Sequence, residues 1–295
     1  MSYIGRFAPS PSGPLHFGSL VAALASYLDA KANRGQWLVR MEDIDPPRIM
    51  PGAADSILRT LENYGLHWDQ QVLYQSTRQQ AYEAALDHLK QHNLIYTCDC
   101  SRQQIKSHGN VYAGICRTKN NQTQSPSAQR IKVPNVTIGF DDQIMGKQTQ
   151  KLHSTVGDFI LRRKDNLFAY QLAVVVDDAE QDITHIVRGH DLLDSTARQI
   201  FLQQSLGLDT PDYAHFPVIT NNSQQKLSKQ NLAPEIHSVD AIGNLSRGLA
   251  ALGIMPSQDI VQESPENLLS WAVDRWDINK IESSPSIPES NLPHY

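Results

Sequence analysis

The chain has 295 residues, with 26 Lys plus Arg against 31 Asp plus Glu and a formal net charge of −5. At 40% hydrophobic and 19% charged residues it can bury the core of one large domain or about two smaller ones, which excludes a disordered tail. The charge excludes a uniformly basic wrapper of nucleic acid, so any such partner would have to be met by a local basic patch.

Residues 3–8 read as a short strand stopped by the turn Pro9-Ser10-Pro11-Ser12-Gly13-Pro14. Residues 15–33 form a Leu- and Ala-rich helical pattern with Gly35 as its stop, and residues 36–41 return as a strand. This β-α-β unit calls for a parallel sheet. Residues 53–64 and 77–92 are two further helices, with Trp68 between them assigned to the core. Residues 107–129 are polar and read as loops; 133–144, 157–163, 167–176 and 183–188 read as strands. Residues 194–207 read as a helix stopped by Gly207, followed by a strand at 216–220. Strand-helix alternation at both ends and an irregular middle give an α/β, doubly wound, nucleotide-binding fold split by an inserted subdomain. The expected segments are 1–95 and 181–235 for its two halves, 96–180 for the insert, and 236–295 for a helical end with helices at 239–252 and 267–276. Residues 283–295 carry three prolines and are expected to hug the surface or fray. Apolar runs such as 172–176 fall far short of the ~20 residues needed to span a bilayer. The start, Met1-Ser2-Tyr3-Ile4-Gly5-Arg6, has no charged stretch followed by an apolar one, so no membrane and a cytoplasmic location are expected.

Two stretches carry chemistry. The first runs from Arg6 through Pro9 and Ser10 to His16-Phe17-Gly18-Ser19, from the end of a strand into a helix. A helix N-terminus there offers free N–H groups and a positive dipole end to a phosphate. His16 can donate to a phosphate oxygen, and Gly18 lets an adenine or ribose approach the backbone. The second is Lys226-Leu227-Ser228-Lys229-Gln230, a loop whose two lysines can close over a triphosphate and stabilise departing pyrophosphate. Each alone has a plain reading, a proline-rich turn and a solvated basic loop.

Together the two resemble the signature motifs of the class I aminoacyl-tRNA synthetases. The stretches Arg6 to Gly13, Val39 to Asp45, Val174 to Asp178, Ile183 to Gly189 and Asp191 to Thr196 resemble the glutamyl-tRNA synthetase catalytic domain. The resemblance covers about residues 1–235, in the family's order, and implies a Rossmann-like parallel sheet and a ligase that binds ATP with magnesium. Gln230 departs from the family's usual serine, while Lys226 and Lys229 remain. Only 65 residues follow the second motif, too few for the anticodon-binding region of a full synthetase. The truncated branch that fits is the glutamyl-queuosine tRNA(Asp) synthetase family, which attaches glutamate to the queuosine base at the wobble position of tRNA(Asp). The resemblance implies Arg6 and Arg188 as guanidinium forks for the glutamate carboxylates, Glu42 for its ammonium, and Tyr170, Ala8 and Ser10 lining the pocket. It implies Pro9, His16, Gly18, Ser19 and Lys229 around ATP, with His16, Lys226 and Lys229 in the chemistry. RNA would be met by basic residues such as Arg117, Lys119, Arg130 and Lys132. A monomer is expected. The rival readings are a conventional charging enzyme, an adenylyltransferase of a small cofactor, and a non-catalytic tRNA-binding module.

The three cysteines, Cys98, Cys100 and Cys116, cluster in the polar insert. Three thiolates there favour a structural zinc ion, which takes four ligands. His108 is the usual chemical choice for the fourth; the resemblance favours Tyr112. Three buried, reduced cysteines are the plain alternative.

Overall fold

A computed structural model describes residues 2–106, 109, 111–112, 114–118, 126–227, 231 and 233–295. His108, Lys119 and Lys229, singled out above, lie outside the described residues.

Strand β1 (Ile4–Phe7) leads through the proline turn into helix α1 (Phe17–Ala32) and back to β2 (Gln36–Met41), which pairs parallel with β1. Helix α1 is buried on all sides, from Leu20 and Val21 to Ala25 and Leu28, the pattern of a helix inside a core rather than on a surface. Gly35 does not supply the left-handed stop expected of it. Arg34 takes that conformation (φ 54°), and Gly35 is needed because a Cβ there would lie 2.4 Å from the Tyr3 carbonyl oxygen.

Next come α2 (Ala53–Asn63), β3 (Leu73–Tyr74), α3 (Gln79–Gln91), β4 (Ile95–Cys98), α4 (Arg102–Lys106), β5 (Ala128–Ile131), β6 (Thr137–Asp142), β7 (Gly146–Lys151), α5 (Leu152–Thr155) and β8 (Ile160–Arg162). Trp68 is half-buried against the main core. The chain then forms α6 (Tyr170–Glu180), β9 (His185–Gly189), α7 (Leu193–Leu206), β10 (Asp212–Phe216), β11 (Val218–Thr220), α8 (Ala241–Ala251), α9 (Pro265–Val273) and β12 (Ser286–Pro288). Gly207 ends α7 in the left-handed conformation (φ 69°), as its position in the sequence required.

Three further expectations fail, each for a physical reason. Residues 167–176 are not a strand: α6 begins at Tyr170 and continues to Glu180. Its Leu172, Ala173, Val174 and Val175 are all buried, so the run reads as continuous apolar sequence with no helical period. Its N-cap is Ala169, which has no side-chain acceptor to announce a helix. The strand expected at 216–220 is divided by Pro217, which lacks the N–H to continue a ladder, into β10 and β11. Residues 283–295 do not merely cover the surface: β12 pairs parallel with β11, and Leu292 is buried.

The parallel strands make two sheets, β1-β2-β3 and β7-β6-β10-β9, with β7 antiparallel to β6. They meet at β1 and β9. Thr184 gives its N–H to the Ile4 carbonyl at 3.0 Å and accepts the Ile4 N–H on Oγ1 at 2.9 Å. From this seam the chain proceeds one way to β2 and the other way to β10, and ligands of open α/β folds bind at the carboxyl ends of strands at such a reversal. A separate antiparallel sheet, β4-β5-β8, carries the cysteine segment.

Candidate active site

A cleft of about 830 Å³ opens at the carboxyl ends of β1 and β9. Arg6, Ala8, Pro9, Ser10, His16, Gly18, Ser19, Glu42, Tyr170, Arg188 and Lys226 all line it. Tyr170 reaches it as the first residue of α6 rather than from a strand.

One end is built by close approach of the two stretches singled out in the sequence. His16 caps α1: its Nδ1 accepts the Ser19 N–H at 3.2 Å, and its Nε2 lies 2.9 Å from the Ser19 hydroxyl. A Cβ on Gly18 would sit 3.2 Å from the Leu227 carbonyl oxygen, so the absent side chain lets the Lys226-Leu227 loop close against the helix start. The loop is pinned by Leu227 N–H on the Ile219 carbonyl at 2.8 Å and Ile236 N–H on the Leu15 carbonyl at 3.1 Å. Lys226 ion-pairs with Asp191 at 2.5 Å across the cleft wall.

The opposite end is charged and buried. Asp178 on α6 accepts Arg6 Nε at 3.0 Å and Arg40 Nη2 at 2.7 Å, and Arg40 also donates to Gln181 at 2.8 Å. Both arginines are below 5% exposed. Glu42 is tied to the turn by its N–H on the Pro9 carbonyl at 2.9 Å. Its Oε1 has no hydrogen-bond partner among the described residues, and the nearest cation is Arg40 Nη2 at 3.8 Å. Burial pushes the Glu42 carboxyl up to about 7 against the pull of Arg40 and Arg6. Glu42 thus offers the cleft a largely covered carboxyl with one unfilled acceptor oxygen. Arg188 is less open than a free fork: Nε donates to His215, Nη1 to Gln199 and Nη2 to Thr196, at 2.8–2.9 Å. The sequence reading missed Asp178, Arg40 and His215, because nothing local in sequence shows that they surround the named residues.

A family model for the class I tRNA synthetases specific for E and Q, catalytic domain, matches residues 4–259. Glutamyl-Q tRNA(Asp) synthetase of Pseudomonas fluorescens is 50% identical over 99% of this chain and 97% of its own length. The protein of the same name from Pseudomonas aeruginosa is 49% identical, over 99% of both. The chain belongs to the glutamyl-Q tRNA(Asp) synthetase family. It is thus an enzyme of the ligase class. The crystal structure of a glutamate tRNA ligase from Elizabethkingia meningosepticum in complex with its amino acid is similar at a TM-score of 0.81 and 25% identity. That similarity covers 97% of this chain and 67% of the ligase, and it establishes the class I synthetase fold.

In this member of the glutamyl-Q tRNA(Asp) synthetase family the sulfur atoms of Cys98, Cys100 and Cys116 lie within 4.8 Å of one another and could hold a metal ion. The Tyr112 hydroxyl joins them, 3.3 Å from Cys98 Sγ and 3.6 Å from Cys100 Sγ, and accepts the Cys116 N–H at 3.2 Å. Burial pushes the Cys116 thiol up to about 11. For Cys98, hydrogen bonds from Tyr112 and Arg130 outweigh burial and lower its pKa. Gly157, at φ 66°, lies so close to Tyr112 that a Cβ would meet its carbonyl oxygen at 2.3 Å.

The basic residues expected to meet RNA are largely committed to this knuckle. Arg130 is 6% exposed, stacks over the Tyr112 ring at 4.1 Å and donates to the Asp158 carbonyl. Arg117 is paired with Asp158 through Nε at 2.7 Å and through Nη2. Lys132 donates to the Asn93 carbonyl at 2.7 Å. Arg130 is corrected to a structural residue, because a buried guanidinium stacked on a ring cannot reach a phosphate. No helix among the described residues is long and apolar enough to cross a membrane.

Proposed function

We propose that the chain activates glutamate with ATP and transfers it to the queuosine base at the wobble position of tRNA(Asp). What carries the reading is the meeting, across one cleft, of the His16–Gly18 helix start and the Lys226–Leu227 loop at one end with Glu42, whose Oε1 has no hydrogen bond among the described residues, at the other. ATP is placed against Pro9, His16, Gly18 and Ser19, where the dipole end of α1 favours phosphate. Magnesium would arrive as the counter-ion of the triphosphate; the Asp191 and Asp45 carboxylates on the cleft wall are the type of oxygen donor it takes, and both are ion-paired, with Lys226 and Arg163. Glu42 receives the ammonium of glutamate, Arg6 and Arg188 face its carboxylates, and Ala8, Ser10 and Tyr170 line its stem.

An oxygen of the α-carboxylate attacks the α-phosphorus in line, the bond to the β-phosphoryl oxygen breaks, and pyrophosphate leaves with its charge held by Lys226 and Lys229. A hydroxyl of the queuosine cyclopentene ring then attacks the activated carbonyl carbon, loses its proton, and AMP departs. The residues supply positioning and charge stabilisation with no covalent enzyme intermediate. In domain terms, we take residues 1–95 and 181–235 as the catalytic halves, 96–180 as the insert and 236–295 as the helical end; β6 and β7 of the insert pair onto β10 in the catalytic sheet, and Asp178 fastens the insert's last helix to the first half. We assign zinc to Cys98, Cys100, Cys116 and Tyr112, where it would supply structural cross-linking of the insert.

The experiment is ATP–pyrophosphate exchange dependent on glutamate without tRNA, then transfer of labelled glutamate to tRNA with and without queuosine. Transfer that needs queuosine and survives enzymatic removal of the tRNA 3′-terminal adenosine, or periodate oxidation with the queuosine diol protected, supports the reading; loss on removal of that adenosine supports conventional charging. Exchange that stays silent with every amino acid supports a non-catalytic module.

Two further outcomes are expected. Between the ordinary carboxylate pKa and about 7, Glu42 is protonated in the folded chain, so its acceptor charge is lost as pH falls. The KM for glutamate should therefore rise as pH drops from about 8 to about 6, approaching tenfold per unit below the pKa. Glu42→Gln should show a high and flat KM over that range; a wild-type KM independent of pH counts against the role. For stability the same proton acts oppositely: a raised carboxyl pKa favours the folded state below the unfolded pKa and that gain is lost as pH climbs through about 7. Cys100→Ser should lose bound zinc, read by elemental analysis, and melt at a lower temperature while exchange chemistry is less affected; unchanged metal content removes the zinc assignment.

A further inference from the structure

We propose that Asp142 and His215 form a positioning relay that fixes the tautomer of His215 and thereby aims the Arg188 guanidinium at a carboxylate of the amino-acid substrate. The target of Arg188 rests on the function proposed above; the relay itself rests on geometry. The three residues stand on the neighbouring strands β6, β10 and β9, and each is at most 5% exposed.

A guanidinium has five N–H donors. Those of Arg188 go from Nε to His215 Nε2 at 2.9 Å, from Nη1 to Gln199 Oε1 at 2.8 Å, and from Nη2 to Thr196 Oγ1 at 2.8 Å and the Leu192 carbonyl at 3.4 Å. Among the described residues one Nη1 N–H is left for a ligand in the cleft that Arg188 lines. The contact to Nε requires a bare lone pair on His215 Nε2, so the ring proton must sit on Nδ1. That proton is donated to Asp142 Oδ2 at 2.6 Å. Asp142 cannot turn away, because its Oδ1 accepts the N–H groups of Ile144, Met145 and His215 at 3.1, 2.8 and 3.2 Å. Burial, with the charge of Arg188, pushes the His215 ring down to about 4, consistent with a neutral imidazole. The carboxylate of Asp142 thus selects the tautomer, the tautomer makes Nε2 an acceptor, and the acceptor holds the arginine.

Asp142→Asn tests this with no change in size. The asparagine oxygen can keep the backbone N–H groups, while its NH₂ faces His215 Nδ1 and drives the proton to Nε2. Nε2–H then opposes Arg188 Nε–H, donor against donor. The glutamate KM in pyrophosphate exchange is expected to rise about tenfold or more, with the KM for ATP unchanged and glutamate affinity by equilibrium dialysis falling in step. On a His215→Gln background, which has no ring tautomer, adding Asp142→Asn should cost less than about twofold more. An equal cost on both backgrounds would mean that Asp142 only braces its turn, and would overturn the relay, as would an unchanged KM. Imidazole ¹⁵N spectra, with His215 assigned by loss in His215→Gln, read the relay without any substrate. They should show Nδ1–H in the wild type and Nε2–H in Asp142→Asn. Nε2–H in the wild type would overturn the relay, whereas an Nδ1–H ring in a protein silent with glutamate would overturn only the proposed target of Arg188.

Discussion

Asp178→Ala is expected to destabilise the fold by about 3–5 kcal/mol, because it strips the shared counter-charge from two buried guanidinium groups. Arg6 and Arg40 are 4% and 0% exposed, and both donate to the same carboxylate oxygen of Asp178. Removing it leaves Arg40 with Gln181 at 2.8 Å and a distant Glu42 at 3.8 Å, a poor exchange for a charge-assisted bond of 2.7 Å. Denaturant unfolding would measure the loss, and Asp178→Asn, which retains an acceptor oxygen, should lose less. A loss below about 1 kcal/mol for the alanine variant would show that water or a rearranged Glu42 satisfies the arginines. Arg40 and Arg6 hold the Asp178 carboxyl below the usual carboxylate range despite its burial. That contribution is present above the ordinary carboxylate pKa and is lost as acid protonates the folded form. The same pair places Arg6 in the cleft, so stability and the proposed recognition of substrate share one carboxylate.

Lys229→Ala is expected to lower the rate of glutamate-dependent exchange by at least about tenfold, and by as much as on the order of 10², the cost of losing one preorganised charge partner of the departing pyrophosphate. Lys226 and Leu227, which open this motif, and Asn231, just beyond it, all line the cleft. Asn231 Nδ2 donates to the Lys226 carbonyl at 2.9 Å, which ties the two flanks together. Lys226→Ala should cost less, because its ammonium is already neutralised by Asp191 at 2.5 Å. Near-normal exchange by the Lys229 variant would remove that residue from the mechanism; a larger loss at Lys226 than at Lys229 would reverse their proposed roles.

The two arginine environments differ in a way that bears on specificity. Arg6 is anchored through Nε alone to an anion, whereas Arg188 is gripped at all three nitrogens by neutral groups, His215, Gln199 and Thr196. Among the described residues, these neutral partners leave the positive charge of Arg188 uncompensated by any direct carboxylate contact. With Arg188 facing the substrate as proposed, that charge would favour an anionic side chain over its neutral amide analogue.

The sequence by itself determined the β-α-β start, the left-handed stop at Gly207, and the residue types that line the cleft from Arg6 to Ser19. These features are local. A proline turn, a helix start and a C-terminal glycine act through their own backbone angles and immediate neighbours. Only the tertiary structure decided that Tyr170–Glu180 is a helix, since its Val174 and Val175 are buried and its Asp177 and Asp178 are held by side chains from β1, β2 and α3 or its approach. Only the fold turned Arg130 into a prop for Tyr112, drew β12 onto β11, and set His215 between Asp142 and Arg188. The reason is common to all of them. Partners 73 and 172 residues apart, as Asp142 and His215 and Arg6 and Asp178 are, meet only after strands are ordered in a sheet, and a buried charge takes its role from whichever group the sheet brings beside it.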